Sequence, residues 1–312
     1  MTSAQALGKA PTAVHMRIMD ANVIFDRNAV RLHRDRAAGT VHAVADVLQN
    51  AADRLLDRLD DVNRTFTRAL DVGGRGIVAP ALRARGIETF SCDLSGPMLA
   101  LSGGPGVIAD EEWLPFGAGS FDLIVASVSL HWINDLPGAL IQLRHALKPD
   151  GLFLASMPVL PTLSDLRTAL LQAEMAVANG VSPRISPFPE LRDCAGLLQR
   201  AGFALPVADA DEIDLAYREP LALLRDLRAA GEGNAVMLRD RRVPPQALFA
   251  AALARLGETL PHHTTLRLAM MTGWAPSPDQ PKALKPGQFT VSLADALEDR
   301  SDTLLQGAPK PP

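Results

Sequence analysis

The sequence predicts an α/β fold built on a doubly wound, mostly parallel sheet. Between residues 65 and 160, short apolar runs alternate with stretches of helical spacing, joined by short Gly-, Asp- and Pro-rich turns. The run Phe121 to Leu130 is too apolar to face water on either side, as at the centre of a covered parallel sheet.

The elements come in order along the chain. Asn22 to Asp61 contains no Pro and one Gly, Gly39, with Leu and Val recurring among Arg and Asp, which predicts one or two amphipathic helices. Thr67 to Val72 is a strand, and Gly73-Gly74-Arg75-Gly76 comes immediately after it. Ile77 to Arg85 is a helix stopped by Gly86, Glu88 to Leu94 a second strand, and Gly96 to Leu101 a further helix. Gly106 to Asp110 and Phe121 to Leu130 are strands three and four. Asp135 to Leu147 is a helix ended by Lys148-Pro149-Asp150-Gly151, and Leu152 to Val159 is strand five. Beyond Pro161 the pattern is mostly helical, over 165–178, 189–201, 221–230 and 245–256. Strand-like runs lie at 208–217 and 264–274, and a Pro-stiffened loop at Ser182 to Phe188. Residues 1–16 read as a loose tail. From Ala275 Pro, Lys and Gly dominate, with one ordered-looking piece, Phe289 to Leu297.

Composition narrows the function. With 31 Lys+Arg against 35 Asp+Glu, formally −4, the chain lacks the basic excess that a wrapped nucleic acid demands. Aromatics at 4% argue against a base-stacking platform. Cys92 and Cys194 are far apart, form no metal-ligand pattern and call for no disulfide, which suits a reducing cytoplasm. Met1 to Met16 has no signal-peptide core. Leu123 to Leu130, interrupted by Ser127 and Ser129, is too short to cross a bilayer. The expectation is a cytoplasmic protein without a transmembrane segment; peripheral contact with the inner membrane is the alternative.

A glycine-rich turn between strand and helix lets backbone approach a ligand closely and points helix N–H groups at it. An acid at the next strand's end suits the two hydroxyls of a ribose, and Asp93 lies 17 residues after Gly76. This pair alone fits either a nucleoside-like cofactor or plain tight packing. Further on, Ala109-Asp110-Glu111-Glu112-Trp113-Leu114-Pro115-Phe116 ends strand three, Ser120-Phe121-Asp122-Leu123-Ile124 opens strand four, and Leu147-Lys148-Pro149-Asp150-Gly151 precedes strand five.

With the glycine turn, this order over residues 65–160 resembles the class I S-adenosylmethionine-dependent methyltransferases. The resemblance implies a Rossmann-like, seven-stranded sheet with the last strand antiparallel, N-terminal helices and a helical cap. It also implies S-adenosyl-L-methionine as cofactor, with a binding set of Asp71, Gly73, Gly74, Gly76, Asp93, Leu94, Asp110, Glu111 and Ser129. In that family the acid matching Asp93 bonds the ribose, the acid matching Asp110 bonds the adenine amino group, and the residues after strand four border sulfonium and acceptor. Here those are Ser129, Leu130, His131 and Trp132, with His131 and Trp132 as the catalytic candidates. The organisation becomes a tail (1–21), a helical lid (22–64), a cofactor-binding core (65–160), a helical cap with the last two strands (161–276) and a Pro-rich tail (277–312). One departure stands out: the family's first motif, D-x-G-x-G-x-G, lacks here the residue between its first two glycines. The turn is therefore expected to be tighter, with Arg75 near the cofactor.

Five further segments narrow the resemblance: Ile24 to Ala29, Ser129 to Pro137, Ser182 to Phe188, Gly231-Glu232-Gly233-Asn234 and Gly273-Trp274. They are similar to the methyltransferase-fold assembly factors of respiratory complex I and their bacterial relatives, over about residues 22–297. That subgroup implies two acceptor classes, an arginine of a complex I subunit, which is hydroxylated, or a malonyl carrier protein, which is O-methylated. The expected function is S-adenosylmethionine-dependent methyl transfer to a small-molecule, carrier-bound or protein acceptor. Complex I assembly with arginine hydroxylation, or a degenerate cofactor-binding module, are the alternatives.

Several clusters have plainer readings. His33-Arg34-Asp35 superficially matches part of an iron triad, but residues two apart on a helix do not share a face, so no metal is expected. His262-His263 reads as a solvated loop. Arg31, Arg34 and Arg36 read as a solvated helix face; the alternative is a lid folding over the cofactor, with Phe25 packing inward on the substrate side. Arg184 either steers an acidic acceptor or is an ordinary surface arginine.

Overall fold

The computed structural model describes residues 23–177 and 180–280. The expected N-terminal tail and the Phe289 to Leu297 piece lie outside the described residues. The chain divides into two units, 1–276 and 277–312, and the first of them holds the sheet.

Seven strands form one sheet in the order β3-β2-β1-β4-β5-β7-β6. They are β1 (Arg68–Val72), β2 (Glu88–Asp93), β3 (Gly106–Ile108), β4 (Phe121–Ser127), β5 (Leu147–Pro158), β6 (Ala204–Tyr217) and β7 (His262–Trp274). The first five pair in parallel, with Leu70 beside both Phe90 and Ile124. β7 runs antiparallel to β5 and β6, as the family resemblance implied. Strand order reverses between β1 and β4, and ligands of such sheets bind beyond the strands' carboxyl ends at that reversal.

The helices between strands account for the apolar runs. α1 (Arg27–Ala37) and α2 (Ala45–Leu56) precede the sheet; α3 (Val78–Ala84), α4 (Gly96–Ala100) and α5 (Leu136–Ala146) connect its parallel strands. Alternate residues of β4 enter different cores. Ile124 and Ala126 pack with Leu140 and Leu143 of α5 and Leu198 of α7 (Leu191–Arg200). Leu123 and Val125 pack with Leu55 and Leu56 of α2 and Leu82 of α3. Both faces are covered, so no residue of β4 is polar toward water; each fully buried Leu or Ile contributes about 1.5–3 kcal/mol. α6 (Ser164–Val177), α8 (Pro220–Ala229) and α9 (Gln246–Leu256) form a separate apolar cluster around Leu166, Leu223 and Leu248.

Two expectations are corrected. His262 is not in a solvated loop: it opens β7 and is buried, paired with Tyr217 in the ladder, because β7 begins two residues earlier than the alternation suggested. Arg34 is not on a solvated face: it is 1% exposed, because the α1 face that carries it packs onto the sheet's ligand edge. Phe25 is buried as the lid alternative required, its ring edge-on to Trp132 with centroids 5.3 Å apart.

Candidate active site

The glycine turn sits at the strand-order reversal. Gly73 has φ +66°, and a Cβ there would come 2.7 Å from Cβ of Ser129, so only glycine lets the β1 turn meet the segment after β4. A side chain at Gly74 would collide with the carboxyl of Asp71. Gly76, with φ +79°, closes the turn against Leu101. Asp71 is fully buried; burial and the nearby Asp93 charge push its carboxyl up to about 7.

The turn and the residue just after β4 also hold unusual backbone. Arg75 has φ +50° and Val128 has φ +49°, a conformation that is costly for a β-branched residue. The two are linked: Arg75 Nη1 donates to the Val128 carbonyl at 2.8 Å. The sequence placed Arg75 near a cofactor. Its other arm reaches Glu232 at 2.5 Å, a residue the sequence marks only through the Gly231-Glu232-Gly233-Asn234 segment, without a role.

The acids assigned to the cofactor converge. Asp93, at the end of β2, is 2% exposed, and its Oδ1 accepts from the Ser95 N–H at 2.8 Å. Glu111, just beyond β3, is fully buried, and Asp110 lies beside it, half-buried. Their partners come from α1. Arg34 Nη1 lies 2.7 Å from Glu111 Oε1 and 3.4 Å from Asp93 Oδ1, while Nη2 donates to the Ser129 carbonyl at 3.3 Å. Arg27 donates to Asp110 Oδ1 at 2.6 Å, to Glu111 and to the Trp132 carbonyl at 3.0 Å. Burial alone would raise the Glu111 carboxyl, yet Arg34 and Arg27 bring it down to about 2. Burial pulls the Arg34 guanidinium down, and Glu111 and Asp93 outweigh this and raise it.

The donor set fits a nucleoside sulfonium: a glycine turn without room for side chains, a buried acid at the end of β2 and two more just beyond β3. The same acids are held by the chain's own guanidiniums.

Beyond β4, Leu130–Trp132 forms a single 3-10 turn. His131 and Trp132 are both buried, and each donates to Glu232 Oε2 at 2.7 Å, His131 through Nε2 and Trp132 through Nε1. Burial would raise the Glu232 carboxyl; His131, Arg75 and Trp132 bring it down to about 2. An ionised carboxylate only accepts, so His131 Nε2 is the ring nitrogen that presents a proton to Glu232, and Nδ1 is a buried atom without a hydrogen-bond partner. His131, Trp132 and Glu232 line a cavity of about 130 Å³, whose other walls include Val128, Phe188, Tyr217 and Leu223. Arg184 also lines it, pairing with the buried Glu174 at 2.6 Å rather than standing free on the surface.

The cofactor set and the catalytic candidates thus meet at one sheet edge. Leu94 and Phe25 join them through a small apolar cluster with Val30 and Trp132. None of the glycine-turn residues, Asp93, Asp110 or Glu111 lines the cavity. Glu232 escapes sequence reasoning because its partners are about 100 residues away in sequence; the signal available was an acid between two glycines, Gly231 and Gly233. Among the described residues, no group of three His, Cys, Asp or Glu could hold a metal ion, and no helix is long and apolar enough to cross a membrane.

A family profile described as "Methyltransferase domain" matches residues 44–206. The protein named arginine-hydroxylase NDUFAF5, mitochondrial, of Danio rerio is 38% identical over 287 residues, covering 87% of this chain and 89% of that one. The malonyl-[acyl-carrier protein] O-methyltransferase of Methylovorus sp. (strain MP688) is 33% identical over 249 residues, covering 74% and 82%. Among solved structures, the YcgJ protein of Bacillus subtilis superposes with a TM-score of 0.50 at 15% identity, covering 72% of this chain and 98% of that one, a likeness of fold alone.

Proposed function

The chain belongs to the methyltransferase-domain family, and we propose that it binds S-adenosylmethionine at the glycine turn and acts on an acceptor in the adjoining cavity. One observation carries this reading. The segment Val128–Trp132 belongs to both places: Ser129 Oγ donates to the Val72 carbonyl at 2.7 Å, against the glycine turn, while Val128, His131 and Trp132 wall the cavity.

When bound, S-adenosylmethionine supplies a methyl group on a sulfonium, open to in-line displacement. The rest falls to the chain's residues. Asp93 would accept from the ribose hydroxyls and Asp110 from the adenine amino group. The apolar walls exclude water and hold the acceptor in line, the largest source of acceleration for such a displacement. Glu232 fixes the rings of His131 and Trp132 and engages His131 at Nε2, so a neutral His131 offers its unpartnered Nδ1 to an acceptor that must lose a proton. A carboxylate acceptor has none to lose.

Calorimetric titration with S-adenosylhomocysteine tests the cofactor half. Wild-type protein binds, and Asp93→Ala weakens binding by at least about tenfold, roughly 1.4 kcal/mol. Equal binding by both would remove Asp93 from the ribose.

A second reading has its own support. Buried and half-buried carboxylates here repeatedly hold guanidiniums: Arg34 on Glu111, Arg27 on Asp110 and Arg75 on Glu232. Such a site suits an arginine side chain as acceptor, in keeping with the name of the 38%-identical relative; the partner would then be a complex I subunit, met in the cytoplasm or at the inner membrane surface. Loss of assembled complex I in a deletion strain tests it, and unchanged complex I would sink it.

A further inference from the structure

We propose that α1 is a displaceable plug of the cofactor cradle, with Arg34 and Arg27 standing on the acids that the nucleoside needs. The inference rests on the cofactor reading above. Arg27 and Arg34 are seven residues apart and so share one helix face. That face delivers one guanidinium to Asp93 and Glu111 and the other to Asp110 and Glu111. Both oxygens of Glu111 are taken, and Arg34 Nη1 lies 3.8 Å from where a Gly73 side chain would begin. With Arg34 1% exposed and in contact with Asp93 and the Ser129 carbonyl, ribose hydroxyls and guanidinium compete for one place.

The way α1 is held suits displacement. Its buried apolar residues are small: Ala29, Val30 and Ala37. Its other attachments are polar. Asp26 caps its first turn and pairs with Arg239 at 2.9 Å, and His33 Nδ1 lies 3.1 Å from the Gly233 carbonyl. A helix that buries little apolar area and is anchored by ion pairs belongs to the low-stability end of local opening. A ligand offering its own partners to Asp93 and Asp110 replaces the part of α1's contacts that is given up at those two acids.

The test compares S-adenosylhomocysteine affinity in wild type, Arg34→Met and Arg34→Lys by calorimetry, with hydrogen exchange of wild-type α1 with and without ligand. Arg34→Met is expected to bind at least tenfold more tightly than wild type, with Arg34→Lys in between, since lysine keeps the charge but loses the fork. In wild type, amides of residues 30–37 are expected to exchange faster at saturation. The exchange measurement needs no variant, so it decides the matter even if Arg34→Met fails to fold. Equal or weaker binding by Arg34→Met, or unchanged or slower exchange in α1, would overturn the plug while leaving the cofactor reading intact. No binding by any of the three proteins would overturn both.

Discussion

The cradle at the ends of β1 and β2 and the cavity beyond β4 share a wall and are built from opposite materials. The cradle is filled with buried charge, three carboxylates against two guanidiniums from α1. The cavity is walled mainly by apolar side chains, and its charged groups, Glu232, Arg184 and Asp226, are tied to protein partners, Asp226 to the Tyr217 hydroxyl. In the cradle the chain supplies cations where the proposed ligand would supply hydroxyls and amines, so each carboxylate has a guanidinium partner before anything binds. The cavity makes no such substitution and is open space. On the proposed reading such a site separates two tasks: the cradle exchanges partners to load, and the cavity needs only to be filled.

The largest effect expected from breaking this contrast is in the cradle. Glu111→Ala leaves Arg34 and Arg27 short of their shared buried partner and should destabilise the fold by about 3–5 kcal/mol, the usual cost of breaking a buried pair. Chemical denaturation of the variant measures it. The pH dependence comes next. Glu111 is held at about 2 against an ordinary 4.5, so its contribution, about 3 kcal/mol by linkage, is fully present above pH 4.5 and is lost as pH falls toward 2. Denaturation at pH 7, 4 and 3 should show this loss in wild type and less of it in Glu111→Gln.

At the shared wall the effects shrink. Glu232→Gln keeps one acceptor oxygen but loses the charge that gathers three donors, for about 1.5–3 kcal/mol. Nitrogen-detected NMR of His131 should then show its proton no longer confined to Nε2. The smallest effect sharpens the contrast by lying outside both regions. Trp113, beside the acids in sequence, is 79% exposed, and Trp113→Ser should change stability by no more than about 0.5 kcal/mol.

The cradle was legible in the sequence to the extent that it is local. The glycine turn, Asp93 and Asp110 each mark a strand's end within a short window, and the parallel sheet arises from the same alternation. Arg34 was misread because an arginine among other helix cations normally faces water, while its partner Glu111 lies 77 residues on. The cavity was hardly legible at all. Val44, Val128, Phe188, Tyr217, Glu232 and Leu266 meet only once the sheet and its helices are assembled, and their spacing carries no period. Trp132 and His131 were singled out by their place after β4; Glu232, which hydrogen-bonds both, had no such marker.

The most direct measurement of the central claim is where S-adenosylhomocysteine lies on the wild-type protein, read by hydrogen exchange across the chain. Binding at the cradle should slow exchange at residues 73–76, 93–95 and 109–112 and leave the cavity wall at 223–227 unchanged. Slowing confined to the cavity wall, with the glycine turn and the β2 end untouched, would contradict it.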